Sequence, residues 1–332
     1  MTTTGNFYER RNARNVKELV CDGKYIEIKD LKLRDDIKGE HISWKYLSKD
    51  IPDYPTPVEF HITEVAHVTN KKCIEGILSS CGFLGLDEDS LSWWNLKISD
   101  EDITAAEERF IESFFPNSSK EEREAQQPFL RQFTTSPLFR ESSRYGNFRF
   151  TYQLTELMEA YKEQICVDEE PVLRLYQTKL FKQEIEYVIL VHSPKVNRWF
   201  KDLPELASSP LVAYDGKQII WKAQAICETH NFQMAKHENN VVIEPMNSFE
   251  FYVWDQLSLA FHIESNKILA FPKRSLDQNP SVCEIDQIDL SNNGSFPSIA
   301  EAKEFLESLP EYESKKDEKE ENLSGKIKVE DE

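Results

Sequence analysis

Apolar positions along this chain change spacing several times, and each change predicts an element. Between Phe60 and Gly85 the text FHITEVAHVTNKKCIEGILSSCGFLG opens as a short strand carrying His61, Ile62 and Thr63. It then takes helical spacing, with Ile74, Ile77 and Leu78 on one face, and ends at Cys81-Gly82-Phe83. Ser90 to Leu96 reads as a strand, and its adjacent Trp93 and Trp94 must point to opposite faces. Residues 99–115 predict a helix. Ser99 with Asp102 gives a capping box, and Ile103, Ala106, Phe110 and Phe114 share one side until Pro116 stops the run. SSKEEREAQQ after it is a solvated connection or a second helix, and LTELMEAYKEQI a further helix.

Pro171 to Phe181 and Ile185 to His192 follow as adjacent strands, the second so uniformly apolar that it should be central and buried on both faces. Beyond Pro194 the pattern stays β-like at Pro210 to Tyr214, Gln218 to Glu228, Val241 to Glu244, Glu250 to Trp254 and Leu257 to Ile263, with Asp215-Gly216 as a hairpin turn. The first 20 residues are polar and read as a flexible lead. Residues 21–50 alternate at Ile26 and Ile28, then at Ile42, Trp44 and Tyr46, as edge strands or a cap would. Pro52 to Pro57 is a stiff boundary. Residues 310–332 hold charge and few large apolar side chains, so a disordered acidic tail is expected. The expected divisions are 1–50 as lead and cap, 51–200 as the main domain, 201–309 as a β-rich extension, and 310–332 as tail.

Composition narrows the functions. With 332 residues and 39% hydrophobic positions, the chain can bury a full core. A net charge of -19 argues against sequence-independent binding of duplex nucleic acid, which needs clustered cations. No apolar run approaches the ~18–20 residues that span a bilayer, and no apolar signal core follows the N-terminus. Six scattered cysteines without a CxxC pair read as reduced thiols. An intracellular protein is expected, cytoplasmic or nuclear, away from membranes. His61, His67, Cys73 and Cys81 match no common zinc spacing, so no metal is expected. With 10 glycines there is no Gly-rich phosphate loop, and no G-x-S-x-G elbow occurs.

The strand with His61-Ile62-Thr63, the helix and the Gly82-Phe83 turn together resemble the opening of the ADP-ribosyltransferase superfamily, nearest its poly-ADP-ribose polymerase and DarT-type branches. Ser142-Ser143-Arg144-Tyr145 resembles the family's S-x-x-Y segment. Glu186-Tyr187-Val188-Ile189-Leu190-Val191 resembles the strand that bears its glutamate. The likeness covers roughly residues 57–195. It implies an α+β fold with a split, mostly antiparallel sheet, here extended by a C-terminal β-rich subdomain. It also implies NAD as cofactor and transfer of single ADP-ribose units to a protein acceptor. In that chemistry positive charge develops on the ribose, and a carboxylate aimed at it should be the largest catalytic term. By resemblance, Glu186 takes that role with His61 and Tyr145, while His61, Thr63, Ser142, Arg144 and Tyr145 hold the cofactor. Glu184 is an alternative carboxylate at the strand start. The whole chain also resembles fish proteins, a group whose virus-induced members contain related domains, which implies innate antiviral defence. A non-catalytic interaction protein on a degenerate transferase fold is the alternative. In the tail, Ile327-Lys328-Val329-Glu330 resembles the segment read by the SUMO-conjugating enzyme, which implies modification at Lys328; a solvated charge run is the plainer reading.

Overall fold

The structure, a computed structural model, describes residues 6–11, 17–31, 33–34, 37, 57–86, 89–134, 139, 142–143, 145–181, 184–224, 229–236, 240–251, 254–285 and 295–309. These fall into two compact units. One lies within Met1–His67, Leu84–Ser142 and Thr151–Leu269, the other within Val68–Phe83, Ser143–Phe150 and Ala270–Glu332. The protein is α+β, with a large, mostly antiparallel sheet.

In the first unit this sheet runs in the order Tyr8–Arg11, Lys17–Asp22, Val172–Phe181, Glu184–His192, Trp254–His262, Leu91–Lys97 and Glu64–Thr69. Glu184–His192 is central for the reason its composition gives: every residue from Tyr187 to His192 is buried. It pairs antiparallel with Val172–Phe181 on one side and parallel with Trp254–His262 on the other, Tyr187 opposite Leu257 and Val191 opposite Phe261. Trp94 is fully buried while Trp93 is only partly so, as adjacent strand residues require.

Two expectations change here. Trp254–His262 falls in the stretch expected as a C-terminal extension, yet it lies between two strands of the large sheet. Its burial from Leu257 to His262 reflects that position. The polar lead contains a strand pair, Tyr8–Arg11 with Lys17–Asp22, that extends the sheet beyond Val172–Phe181. An edge strand keeps one side open to water, so polarity there is compatible with pairing. Arg10 and Glu18, opposite each other in register, bond at 2.7 Å.

A smaller sheet of the same unit joins Val212–Tyr214, Ile219–Ala223 and Val58–Ile62. The Asp215 carboxylate accepts from the backbone N–H groups of Lys217 and Gln218, at 2.9 and 3.0 Å, and closes the hairpin between its first two strands. Val58, Phe60 and Ile62 are fully buried, with the Phe60 ring 5.9 Å from Trp221. Helix Asp100–Phe114 begins at the reciprocal Ser99–Asp102 capping box and buries Ile103, Ala106 and Phe110. Its Arg109 donates twice to the Glu59 carbonyl, at 2.9 and 3.2 Å, fixing strand Val58–Ile62 from one side.

The second unit contains helix Lys71–Ser80, started by the Asn70 side chain accepting from Cys73 N–H and ended by Cys81 in the left-handed conformation. Phe83 then packs its ring against Phe150 and Phe271, at 5.4 and 5.8 Å. Strand Phe148–Gln153 pairs with Ser281–Val282 through Phe148 and Arg149. Asn147 holds Phe296 with both ends of its amide, accepting from its N–H at 2.6 Å and donating to its carbonyl at 3.2 Å. Among the described residues, no helix is long and apolar enough to cross a membrane.

Candidate functional site

Glu186 stands on a polar strip across one face of the large sheet. Register places it between Lys179 and Gln256. The Lys179 ammonium lies 3.6 Å from its carboxylate and 3.9 Å from the centre of the Trp93 ring. Lys179 is buried, and the Glu186 side chain is 16% exposed. Beside them Gln256 donates to Glu184 at 3.3 Å, and Ser258 donates to Asn95 at 2.9 Å. Toward the sheet edge, Gln177 donates to Asp22 at 3.0 Å and accepts from Arg10 at 3.3 Å. Every polar group named in this strip has a protein partner, as burial demands. Along the same strand the strip gives way to an apolar cluster of Val188, Leu190, Leu91 and Ala260.

Chemically, the strip presents a carboxylate whose charge is already balanced by an ammonium, and an aromatic face already covered by that ammonium. Such a group is a poor match for a developing ribose cation. The attraction it could offer is spent in the resting protein.

His61 lies elsewhere in the unit. It is on strand Val58–Ile62, opposite Ile220, and on the face away from Phe60 and Ile62. Its Nε2 bonds the Glu59 carboxylate two residues back at 2.8 Å, with Lys222 3.9 Å from the same group. Thr63 follows the strand end, where its carbonyl accepts from Leu154 N–H at 2.7 Å. His61 and Glu186 thus belong to different sheets and hold different partners. Ser142 is half-buried in the first unit, in the short strand Ser142–Ser143. Tyr145 belongs to the second unit, where its N–H donates to Ser143 Oγ at 3.0 Å and its side chain is 45% exposed. Arg144 and Lys328 fall outside the described residues, as do Ile42, Trp44, Tyr46 and the tail.

In the sequence His67 is weighed only as a zinc ligand. It begins a second His-x-Thr, His67-Val68-Thr69, at the end of strand Glu64–Thr69. This copy abuts the Asn70 cap directly, whereas His61-Ile62-Thr63 is separated from the helix by that whole strand. The distance to the helix start was the signal that could have found it. The His67 ring lies 5.4 Å from Trp94, and its Nδ1 donates to the Trp93 carbonyl at 2.8 Å. Burial pushes its pKa down to about 4, against the smaller opposing effect of that hydrogen bond. The ring is therefore neutral at pH 7.

Farther along the first unit is a cleft of about 520 Å³ lined by Gln126, Phe129, Gln132, Val241, Val242 and Ile243 among others. Neither His61 nor Glu186 lines it. The Gln126 side chain makes both backbone bonds of Val241, accepting at 2.9 Å and donating at 3.0 Å, as a neighbouring strand would. Among the described residues no group of three or more His, Cys, Asp and Glu side chains is placed to hold a metal ion. Comparison of the chain with protein-family models, with curated proteins and with solved structures gives no match.

Proposed function

We propose that this chain acts by binding a protein partner and does not perform ADP-ribosyl transfer. The observation that carries this reading is the state of Glu186. The carboxylate that transfer chemistry would aim at ribose is paired with buried Lys179, and Lys179 in turn covers Trp93. The cleft beside Gln126 has the size of an ordinary binding site and a mixed amide and apolar lining, which suits a peptide segment.

A second reading keeps the transferase. It is favoured by the order of His61, Tyr145 and Glu186 along the chain and by the exposed Tyr145 ring. Purified full-length chain incubated with labelled NAD+ separates the two. Absence of both labelling and nicotinamide release, with unaltered thermal melting on NAD+ addition, is the expected result. Automodification that Glu186→Gln abolishes would establish the transferase and end the binding-only reading.

A further inference from the structure

A second buried polar cluster of the first unit lies at the far end of the central strands, and neither reading above uses it. Arg174 is almost completely buried on strand Val172–Phe181. Its guanidinium reaches four groups. Nε donates to His192 Nε2 at 3.1 Å, and Nη1 donates to the Leu203 carbonyl at 2.6 Å. Nη2 donates to Asn197 Oδ1 at 2.7 Å and lies 3.6 Å from the Glu205 carboxylate. Three of those partners belong to residues 193–209, which cross the sheet face as short helical turns between strand Glu184–His192 and strand Val212–Tyr214. The Leu175 N–H adds a bond to the Pro204 carbonyl at 2.9 Å.

The bond to His192 fixes its protonation state by geometry. An arginine Nε–H only donates, so His192 Nε2 must accept. The other nitrogen, Nδ1, faces the Ser193 carbonyl at 2.9 Å and must carry the proton. Only the neutral Nδ1–H tautomer satisfies both contacts. A second proton would place an N–H against the guanidinium N–H and a second positive charge beside Arg174.

His262 follows directly on the residue paired with Val191, so the two histidines end neighbouring parallel strands. Phe200 packs against both rings, at 5.0 Å from His192 and 5.3 Å from His262, and Trp199 lies 5.7 Å from His262. Trp199 itself is 55% exposed. The segment is thus held to the sheet by one arginine and two imidazoles, under an aromatic pair.

We propose that residues 193–209 form a pH-sensitive latch, closed by the neutral form of His192 and released when His192 and His262 take up protons. Burial holds both histidines below the ordinary range, with Arg174 adding to the effect at His192. Charges around them act in both directions. Toward His192 stand Arg174 and His262 from the sheet and Glu205 from the segment. Toward His262 stand Glu264, Asp89 and Lys267; Glu264 and Asp89 favour its charged form and Lys267 opposes it. The segment's own exposed charges are of both signs, Lys195, Arg198 and Lys201 with Asp202 and Glu205. The folded pKa values lie below the unfolded ones. The closed form is therefore fully favoured above about pH 6.5 and loses stability as pH falls from there.

Hydrogen exchange read by mass spectrometry on the full-length chain tests this. After correction for intrinsic exchange, protection in peptides covering 193–209 should fall about tenfold or more between pH 7.5 and pH 5, while peptides from Val172–Phe181 stay protected. In the double variant His192→Gln and His262→Gln, protection should no longer depend on pH, since a glutamine can accept from Arg174 but does not titrate. If that variant does not fold, His262→Gln alone must move the opening to lower pH. Constant protection of 193–209 in the wild type overturns the proposal. So does the same pH response in a folded double variant, or loss of protection in the strands at the same pH.

Discussion

The Lys179 ammonium stands 3.6 Å from the Glu186 carboxylate, and the two residues are directly opposite in neighbouring antiparallel strands. Removal of either charge should have unequal effects. Lys179→Met leaves a carboxylate facing an apolar neighbour with little water access. Breaking a fully buried pair costs ~3–5 kcal/mol, and the remaining exposure of Glu186 should reduce this to about 2 kcal/mol. Glu186→Gln should cost only about 1 kcal/mol, because Lys179 keeps the Trp93 face as a partner. Urea unfolding at pH 7 measures both. Equal losses would show that Trp93 contributes nothing to holding the ammonium.

Gly146 follows Tyr145 with φ +152°, and a Cβ built on it would lie 2.1 Å from the Thr69 carbonyl oxygen. Both the backbone angle and the close approach exclude a side chain. Gly146→Ala should destabilise by at least about 2 kcal/mol. It should also disturb the bond from Tyr145 N–H to Ser143 Oγ. A thermal melt compared with Gly76→Ala is the check, since Gly76 has open space around its Cβ position and sits in a helix. Gly76→Ala should leave stability unchanged or raised by a few tenths of a kcal/mol.

Local elements were legible where one sequence signal decided them. Ser99 with Asp102, the apolar run from Tyr187 to Val191, and Asp215-Gly216 each specify their element with bonds made within a few residues or with burial on both faces. Topology was not legible. Nothing in Leu257 to Ile263 says that it will lie parallel to Glu184–His192, because that pairing is set by packing across about 70 residues of intervening chain. The edge pair at Tyr8–Arg11 was hidden by its own polarity. The candidate site fared similarly: the carboxylate of Glu186 could be singled out, but its neutralisation by Lys179 depends on strand register, which the sequence does not display. His61 bonding Glu59 follows from the two-residue period of a strand, and was available from the sequence.

Helix Asp100–Phe114 gives a direct test of the capping reading. The Ser99 hydroxyl accepts from Asp102 N–H at 3.2 Å, and the Asp102 carboxylate accepts from Ser99 N–H at 2.8 Å. Ser99→Ala should cost about 1 kcal/mol, and Ser99→Gly only a few tenths. Because Arg109 of this helix grips the Glu59 carbonyl, fraying at Ser99 should stay in the first turn and leave the bond beneath His61 in place. Chemical denaturation gives the energies, and amide exchange at Glu59 to Ile62 should match the wild type. Faster exchange in that strand would mean that the helix unfolds as a whole.

His67 should make stability depend on pH in the acidic direction. Its Nδ1–H donates to the Trp93 carbonyl at 2.8 Å while the ring packs 5.4 Å from Trp94, so the neutral form is already satisfied and a second proton has to enter a poorly solvated place. Burial lowers its pKa from 6.5 to about 4. The unfolded chain therefore binds a proton between those values and the folded one does not. His67 contributes its full stability above about pH 6.5, and that contribution is lost as pH falls toward 4. The shift corresponds to ~3 kcal/mol, which partial exposure of the ring reduces to about 2 kcal/mol. His67→Gln keeps a donor for the Trp93 carbonyl but cannot titrate. Urea midpoints measured from pH 7 down to pH 4 should fall in both proteins, because carboxylates and the histidines at 192 and 262 also respond to acid. The fall should be smaller in the variant by about that 2 kcal/mol. Parallel curves would mean that His67 takes up its proton without cost and that burial does not lower its pKa.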